Sequence, residues 1–277
     1  MNAQVGSKVS PYRPLLSPAE EARLSVIVEG ITRNRFLPAP PPENVFVGDG
    51  DYRAIGAEYL GHFVRLGGLK PTDRVLDIGC GIGRMAVPLT QYLDGQAGCY
   101  EGVDPVREGI EWCVQNITPA YPHFRFCQID LAHELYNPGG SLAGHEVVLP
   151  FSDANFDFVA MVSVATHLPV SEIAAYAREV MRLMAPGGRL FMTAFLVLDG
   201  DVDRANARPR FTAGKEEGTW YGDPDAPLAA IGFDRHLVEQ AVREAGLNIE
   251  RVSLGHWRNI DSTHYQDVVI ATKPEAA

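Results

Sequence analysis

Three glycines at alternate positions, Gly79, Gly81 and Gly83, follow an apolar run that ends in an acid, Asp77, in the stretch RVLDIGCGIGRMA. Glycine in a strand-to-helix turn permits positive φ and removes the Cβ atoms that would hold a ligand off the backbone. The helix after such a turn begins with unpaired N–H groups, which suit a polar or charged ligand. The spacing narrows the choice. A dinucleotide fingerprint is GxGxxG, but this turn is GxGxG, with Arg84 in the place of the third dinucleotide glycine. A Walker loop needs Gly-Lys-Ser or Gly-Lys-Thr, and neither follows. Asp104 closes the next apolar run, YEGVD, about twenty residues after the turn, where a carboxylate can accept from both ribose hydroxyls of a nucleoside. Asp130 closes FCQID and is placed to meet an adenine edge.

These residues need elements to carry them. RVLDIG, GCYEGVD, FRFCQID, FDFVAMVSV and RLFMTAFLVL read as strands, and IERVSLGHW and HYQDVVIAT as two more. Helices are expected between the early strands: residues 82–93 with a bend at Pro88, PVREGIEWCVQNI opened by Pro105, and PVSEIAAYAREVMRLM stopped by APGG. Asp234 is placed to cap RHLVEQAVREAGL. Such alternation predicts a doubly wound α/β fold: a mainly parallel seven-stranded sheet with helices on both faces. The last two strands have no helix between them and are expected to pair antiparallel, as a C-terminal edge hairpin. Residues 1–69 form an arm and helices ahead of this domain, and residues 70–277 form the domain. Residues 1–16 read as a loose arm. Ser17, Pro18 and Glu20 form a capping-box signature for a first helix, with Leu24, Ile27, Val28 and Ile31 on one face. LPAPPPEN is a stiff connector to a second helix from Tyr52, with Ile55, Tyr59, Phe63 and Leu66 on one face.

The net charge of −11, from 35 acids against 24 Lys and Arg, disfavours nucleic acid as a partner. No apolar run is long enough to span a membrane, and the N-terminus lacks the apolar core of a signal peptide, so a cytoplasmic protein with no membrane partner is expected. The four cysteines have no CxxC spacing and the histidines no HExxH, so no metal site is expected.

The segments VLDIGCGIG, YEGVD, FCQID, LPFSDANFD, SVATHL and APGGRLFMT, in this order, resemble the class I S-adenosylmethionine-dependent methyltransferases, with their Rossmann-like fold. The resemblance covers roughly residues 72 to 195 and implies S-adenosyl-L-methionine as cofactor. It implies that Asp77 and the backbone of Gly79, Gly81 and Gly83 hold the methionine moiety. Asp104 would hold the ribose, Asp130 and Leu131 would flank the adenine, and Ser163 would border the methyl group.

The sulfonium carbon of that cofactor is already electrophilic, so the protein must align a nucleophile and accept its proton. His167, after the fourth strand, is the candidate base, the alternative being a histidine oriented by packing. The polar insertion at 199–233, with Trp220 and Tyr221, is read as a lid over the acceptor, and the N-terminal helices as the opposite wall. The leading expectation is O-methylation of a small molecule or sugar, the YQD string near the C-terminus being a weak pointer to a sugar. Small-molecule N-methylation, a nucleotide-dependent oxidoreductase and a non-catalytic cofactor-binding protein are the alternatives.

Overall fold

The computed structural model describes residues 16–48, 50–204 and 206–275, so the expected arm, Leu16 apart, lies outside the described residues. Strands β1 (Arg74–Ile78), β2 (Cys99–Asp104), β3 (Phe124–Gln128), β4 (Phe156–Met161) and β5 (Met184–Val197) are parallel neighbours in the order β3-β2-β1-β4-β5. The order reverses at β1, and Asp77 pairs in register with Gly102 on one side and Ala160 on the other. A crevice opens at the carboxyl ends of strands where the order reverses. The C-terminal hairpin pairs β9 (Asn248–Ser253) with β10 (Asp267–Thr272), and β10 runs antiparallel to β5 as well.

Period-two alternation sorts the strand residues onto two faces. Leu76, Ile78, Val159, Met161, Leu190 and Met192 share one core with Ile173, Val180 and Leu183 of α5 (Val170–Leu183) and Val238 and Val242 of α6 (Arg235–Glu244). Val75, Phe158 and Phe191 share the other with Leu60 and Phe63 of α2 (Tyr52–Arg65), Leu24 and Ile31 of α1 (Pro18–Arg33) and Cys113 of α4 (Arg107–Asn116). Phe63 meets Phe158 and Phe191 edge-on at 5.6 and 4.9 Å, so the N-terminal helices are packed onto the sheet. The capping box of α1 is formed as its sequence predicts, with Ser17 Oγ accepting from Glu20 N–H.

Three local expectations are corrected. The helix expected over 82–93 shrinks to α3 (Ala86–Leu89), preceded by turns. Pro88 has no N–H for the Arg84 carbonyl, and that carbonyl faces Gly56 of α2, where a Cβ would collide with it. The insertion at 199–233 is not a bare loop. It forms β6 (Thr212–Ala213), β7 (Thr219–Tyr221) and β8 (Ile231–Asp234), and β8 pairs in parallel with the extended end of β5, making a 10-stranded sheet. Asp234 stands at the N-cap of α6, but its carboxylate accepts from Trp220 Nε1 at 2.8 Å and caps no helix N–H.

Candidate functional site

The glycine turn joins β1 to α3 at the reversal point. Gly79 has φ +79° and Gly81 φ +55°, values that L side chains rarely adopt. A Cβ on Gly79 would run into Val164, and one on Gly81 into Val47. The turn is thus pinched between the segment after β4 and the segment before α2. Arg84 holds the latter in place, donating to the Gly48 carbonyl at 2.7 Å and to the Val47 carbonyl.

A cavity of about 870 Å³ opens over this turn, toward the upper end of the ~300–1,000 Å³ usual for small-molecule sites. Gly79 and Gly81 form its floor, with Asp104, Leu131 and Ser163 beside them. Val47, Ile55 and Tyr59 from the N-terminal section wall one side, and Pro209, Ala229 and Ala230 of the insertion another. Trp220, expected in the wall, is turned to Asp234 instead.

Asp104 ends β2 at 6% exposure. Its Oδ2 accepts from Gly81 N–H at 2.7 Å and its Oδ1 from Val106 N–H at 2.8 Å. Burial pushes this carboxyl up to about 6, while those two N–H groups pull it down. Each oxygen keeps a lone pair, which suits a diol. Asp77 lies beneath the turn, outside the cavity lining. Its Oδ2 accepts from the Tyr100 hydroxyl at 2.6 Å, and burial pushes the carboxyl up to about 7. Its Oδ1 is buried without a partner among the described residues. The glycine floor and the open lone pairs of Asp104 fit a ligand that carries a ribose, while the orphaned oxygen of Asp77, expected at the methionine end, stays shut beneath that floor. Gly83 is turned away from the cavity, toward Ile117 and Cys113.

Asp130 departs from its expected role. It is exposed and its carboxylate accepts from Ser141 Oγ and, at 3.4 Å, from Asn137 Nδ2, so it organises the 131–142 loop and does not line the cavity. Its neighbour Leu131, 4% exposed, does. Ser163, at φ +58°, places its N–H on Thr193 Oγ1 and its Oγ on Gln266.

His167 sits in a short 3-10 turn, Ala165–His167, and lines the cavity. Its Nδ1 lies 2.8 Å from the Leu228 carbonyl, which can only accept, so Nδ1 carries the proton. Nε2 is then the lone-pair nitrogen, 3.3 Å from the Tyr136 hydroxyl. Burial lowers the pKa of this imidazole below 6.5, keeping it neutral at physiological pH. The Leu228 carbonyl and Tyr136 carry no motif that sequence reading could use. Among the described residues, no group of three or more His, Cys, Asp or Glu is arranged to hold a metal ion, and no helix is long and apolar enough to cross a membrane.

A methyltransferase domain model matches residues 52–252, more than half of the chain. The chain belongs to the methyltransferase family. S-adenosylmethionine follows from that membership as the cofactor. The chain is 28% identical over 143 residues to the sterol 24-C-methyltransferase of Schizosaccharomyces pombe, covering 52% of this chain and 33% of that one. It is 22% identical over 161 residues to the chloroplastic tocopherol O-methyltransferase of Arabidopsis thaliana, covering 56% and 41%. The chain therefore matches well under half the length of these relatives. A solved S-adenosylmethionine-dependent methyltransferase from Methanosarcina mazei superposes with a TM-score of 0.51 at 22% identity, covering 75% of this chain and 95% of that one, which establishes the methyltransferase fold.

Proposed function

We propose that this methyltransferase moves the methyl group of S-adenosylmethionine to a hydroxyl oxygen of a small molecule or sugar, with His167 as general base. The cofactor supplies an activated methyl carbon. Asp104 would bind the ribose hydroxyls, the Gly79–Gly81 backbone would cradle the methionine end, and Ser163 would border the transferred methyl. The observation that carries the oxygen reading is the locked tautomer of His167. The Leu228 carbonyl holds the proton on Nδ1, so Nε2 is the basic nitrogen, in contact with Tyr136, and both residues line the cavity. An acceptor hydroxyl reaching Nε2 displaces the Tyr136 contact and gives up its proton as its oxygen takes the methyl. The walls from the N-terminal section and the insertion would narrow the access of bulk water to this step. A carbon acceptor is the second reading, favoured by the sterol C-methyltransferase relative.

Incubation of the protein with S-adenosylmethionine and a panel of hydroxylated metabolites tests the proposal. Release of S-adenosylhomocysteine with a methyl ether as product is the expected result. Products methylated only on carbon or nitrogen would overturn the oxygen reading.

A further inference from the structure

Gln266, in the YQD string just before β10, lines the cavity at 6% exposure beside Ser163. Its side chain is oriented by two hydroxyls. Thr193 Oγ1 lies 2.5 Å from Gln266 Oε1, and Ser163 Oγ lies 3.0 Å from the same atom. The Ser163 backbone N–H can only donate, and it donates to Thr193 Oγ1 at 2.7 Å. The single proton of the Thr193 hydroxyl then has Gln266 as its acceptor. Reversing the amide would leave that proton, on a side chain fully shut from solvent, with nothing to bond. The oxygen therefore faces the sheet. Nε2 is the free end, with both N–H donors unpartnered among the described residues.

The next residue anchors this arrangement. Asp267 accepts from Gly255 N–H, Leu196 N–H, Trp257 Nε1 and Arg258 Nη2 at 2.7, 2.7, 2.9 and 2.7 Å. An amide held this firmly is preorganised for one ligand geometry. The wall around it is largely apolar and aromatic, with Phe195, Tyr265 and Pro209, so a donor pair there calls for an oxygen on the ligand.

We propose that Gln266 selects acceptors carrying a second oxygen next to the one that is methylated, as in a vicinal diol or a catechol. The inference rests on the oxygen reading above and on Ser163 bordering the methyl group. Its Nε2 donates to the neighbouring oxygen. Donation to the reacting oxygen would draw electron density from the nucleophile and slow its attack, so the productive partner is the adjacent one. The bond orients the acceptor without weakening its nucleophile.

Matched probes test this: catechol against phenol, and cis-1,2-cyclohexanediol against cyclohexanol, with S-adenosylmethionine as donor. In the parent, kcat/KM for the better diol exceeds that of its single-hydroxyl analogue by about tenfold, the worth of one well-placed hydrogen bond. Gln266→Glu keeps an oxygen for Ser163 and Thr193 but turns an acceptor toward the ligand. It should erase the discrimination, chiefly by raising KM, with S-adenosylhomocysteine affinity unchanged and Tm lowered by the buried carboxylate. Gln266→Met, which lacks the donor without adding charge, should erase it too. Equal use of diol and single hydroxyl by the parent, or retained discrimination in either folded variant, overturns the role of Gln266 and leaves O-methylation standing. No methyl transfer to any probe hydroxyl overturns both.

Discussion

Two side chains carry most of the chemistry proposed for the cavity, and each makes a measurable claim. Asp104→Ala should weaken S-adenosylhomocysteine binding by about 1.5–3 kcal/mol in titration calorimetry, because a charged acceptor is lost from two ribose hydroxyls. An unchanged affinity in a folded variant would remove Asp104 from the site. The pH dependence has a definite sign. Burial raises this carboxyl to about 6, so in the parent it gains a proton and loses acceptor capacity as pH falls through 6, and cofactor affinity falls with it. Its own contribution to folding runs the opposite way. The unfolded chain has already lost that proton near pH 4, so stability from Asp104 declines as pH rises through 6. For His167, replacement by Ala should lower kcat by about 10²–10⁴-fold with little change in cofactor affinity. Burial lowers its pKa, so the acid limb of the parent's activity should lie below pH 6.5, and His167→Gln should lack that limb. Stability moves with activity here, since below pH 6.5 the unfolded histidine binds protons that the folded one refuses.

The insertion at 199–233 is the element whose part the structure changes most. It walls the cavity through Pro209, Ala229 and Ala230, and its Leu228 carbonyl fixes the proton on His167. A lid built this way would order further when the acceptor space is filled. Limited proteolysis should cut within 199–233 in the free protein and be suppressed by S-adenosylhomocysteine with a bound acceptor. Equal cutting in both states would make the insertion a fixed wall. Trp220→Phe removes the bond to Asp234, which joins β7 to the start of α6. Tm should fall modestly while acceptor KM stays put, because the ring packs away from the cavity.

At the scale of the molecule, one buried charge group ties the insertion to the C-terminal hairpin. Arg258, 1% exposed, donates to Asp267 at 2.7 Å and to the Leu196 carbonyl at 2.8 Å, and its Nε lies 3.5 Å from Asp201 at the start of the insertion. Phe195, Phe211 and Trp257 pack edge-to-face beside it, at 5.3 to 5.6 Å. Removing one partner of a buried pair leaves the other charge uncompensated, so Arg258→Met should cost about 3–5 kcal/mol in urea unfolding. A loss under 1 kcal/mol would show that the network is not what fastens the insertion to the sheet.

The frame could be read from the order of the residues alone. Alternation of period two and period 3.6 reports which face of each element is buried, so the mainly parallel sheet, the C-terminal hairpin, α1 and α2 were legible, while the order of the strands was not. The glycine turn and Asp104 were legible because close backbone approach and strand-end acids leave a local signature. Other features depend on groups far apart in the chain that meet only in the folded molecule. Asp130 ends the right strand, yet Ser141 and Asn137 draw its carboxylate away from the cavity. Pro88 looked like a bend, yet the segment holds a single helical turn, with the Arg84 carbonyl packed against Gly56. Trp220 looked like a pocket wall until Asp234 took its N–H. The tautomer of His167 and the orientation of Gln266 hang on a carbonyl 61 residues away and a hydroxyl 73 residues away. A hydrogen bond is directional and short-ranged, so its partner exists only once the chain has folded.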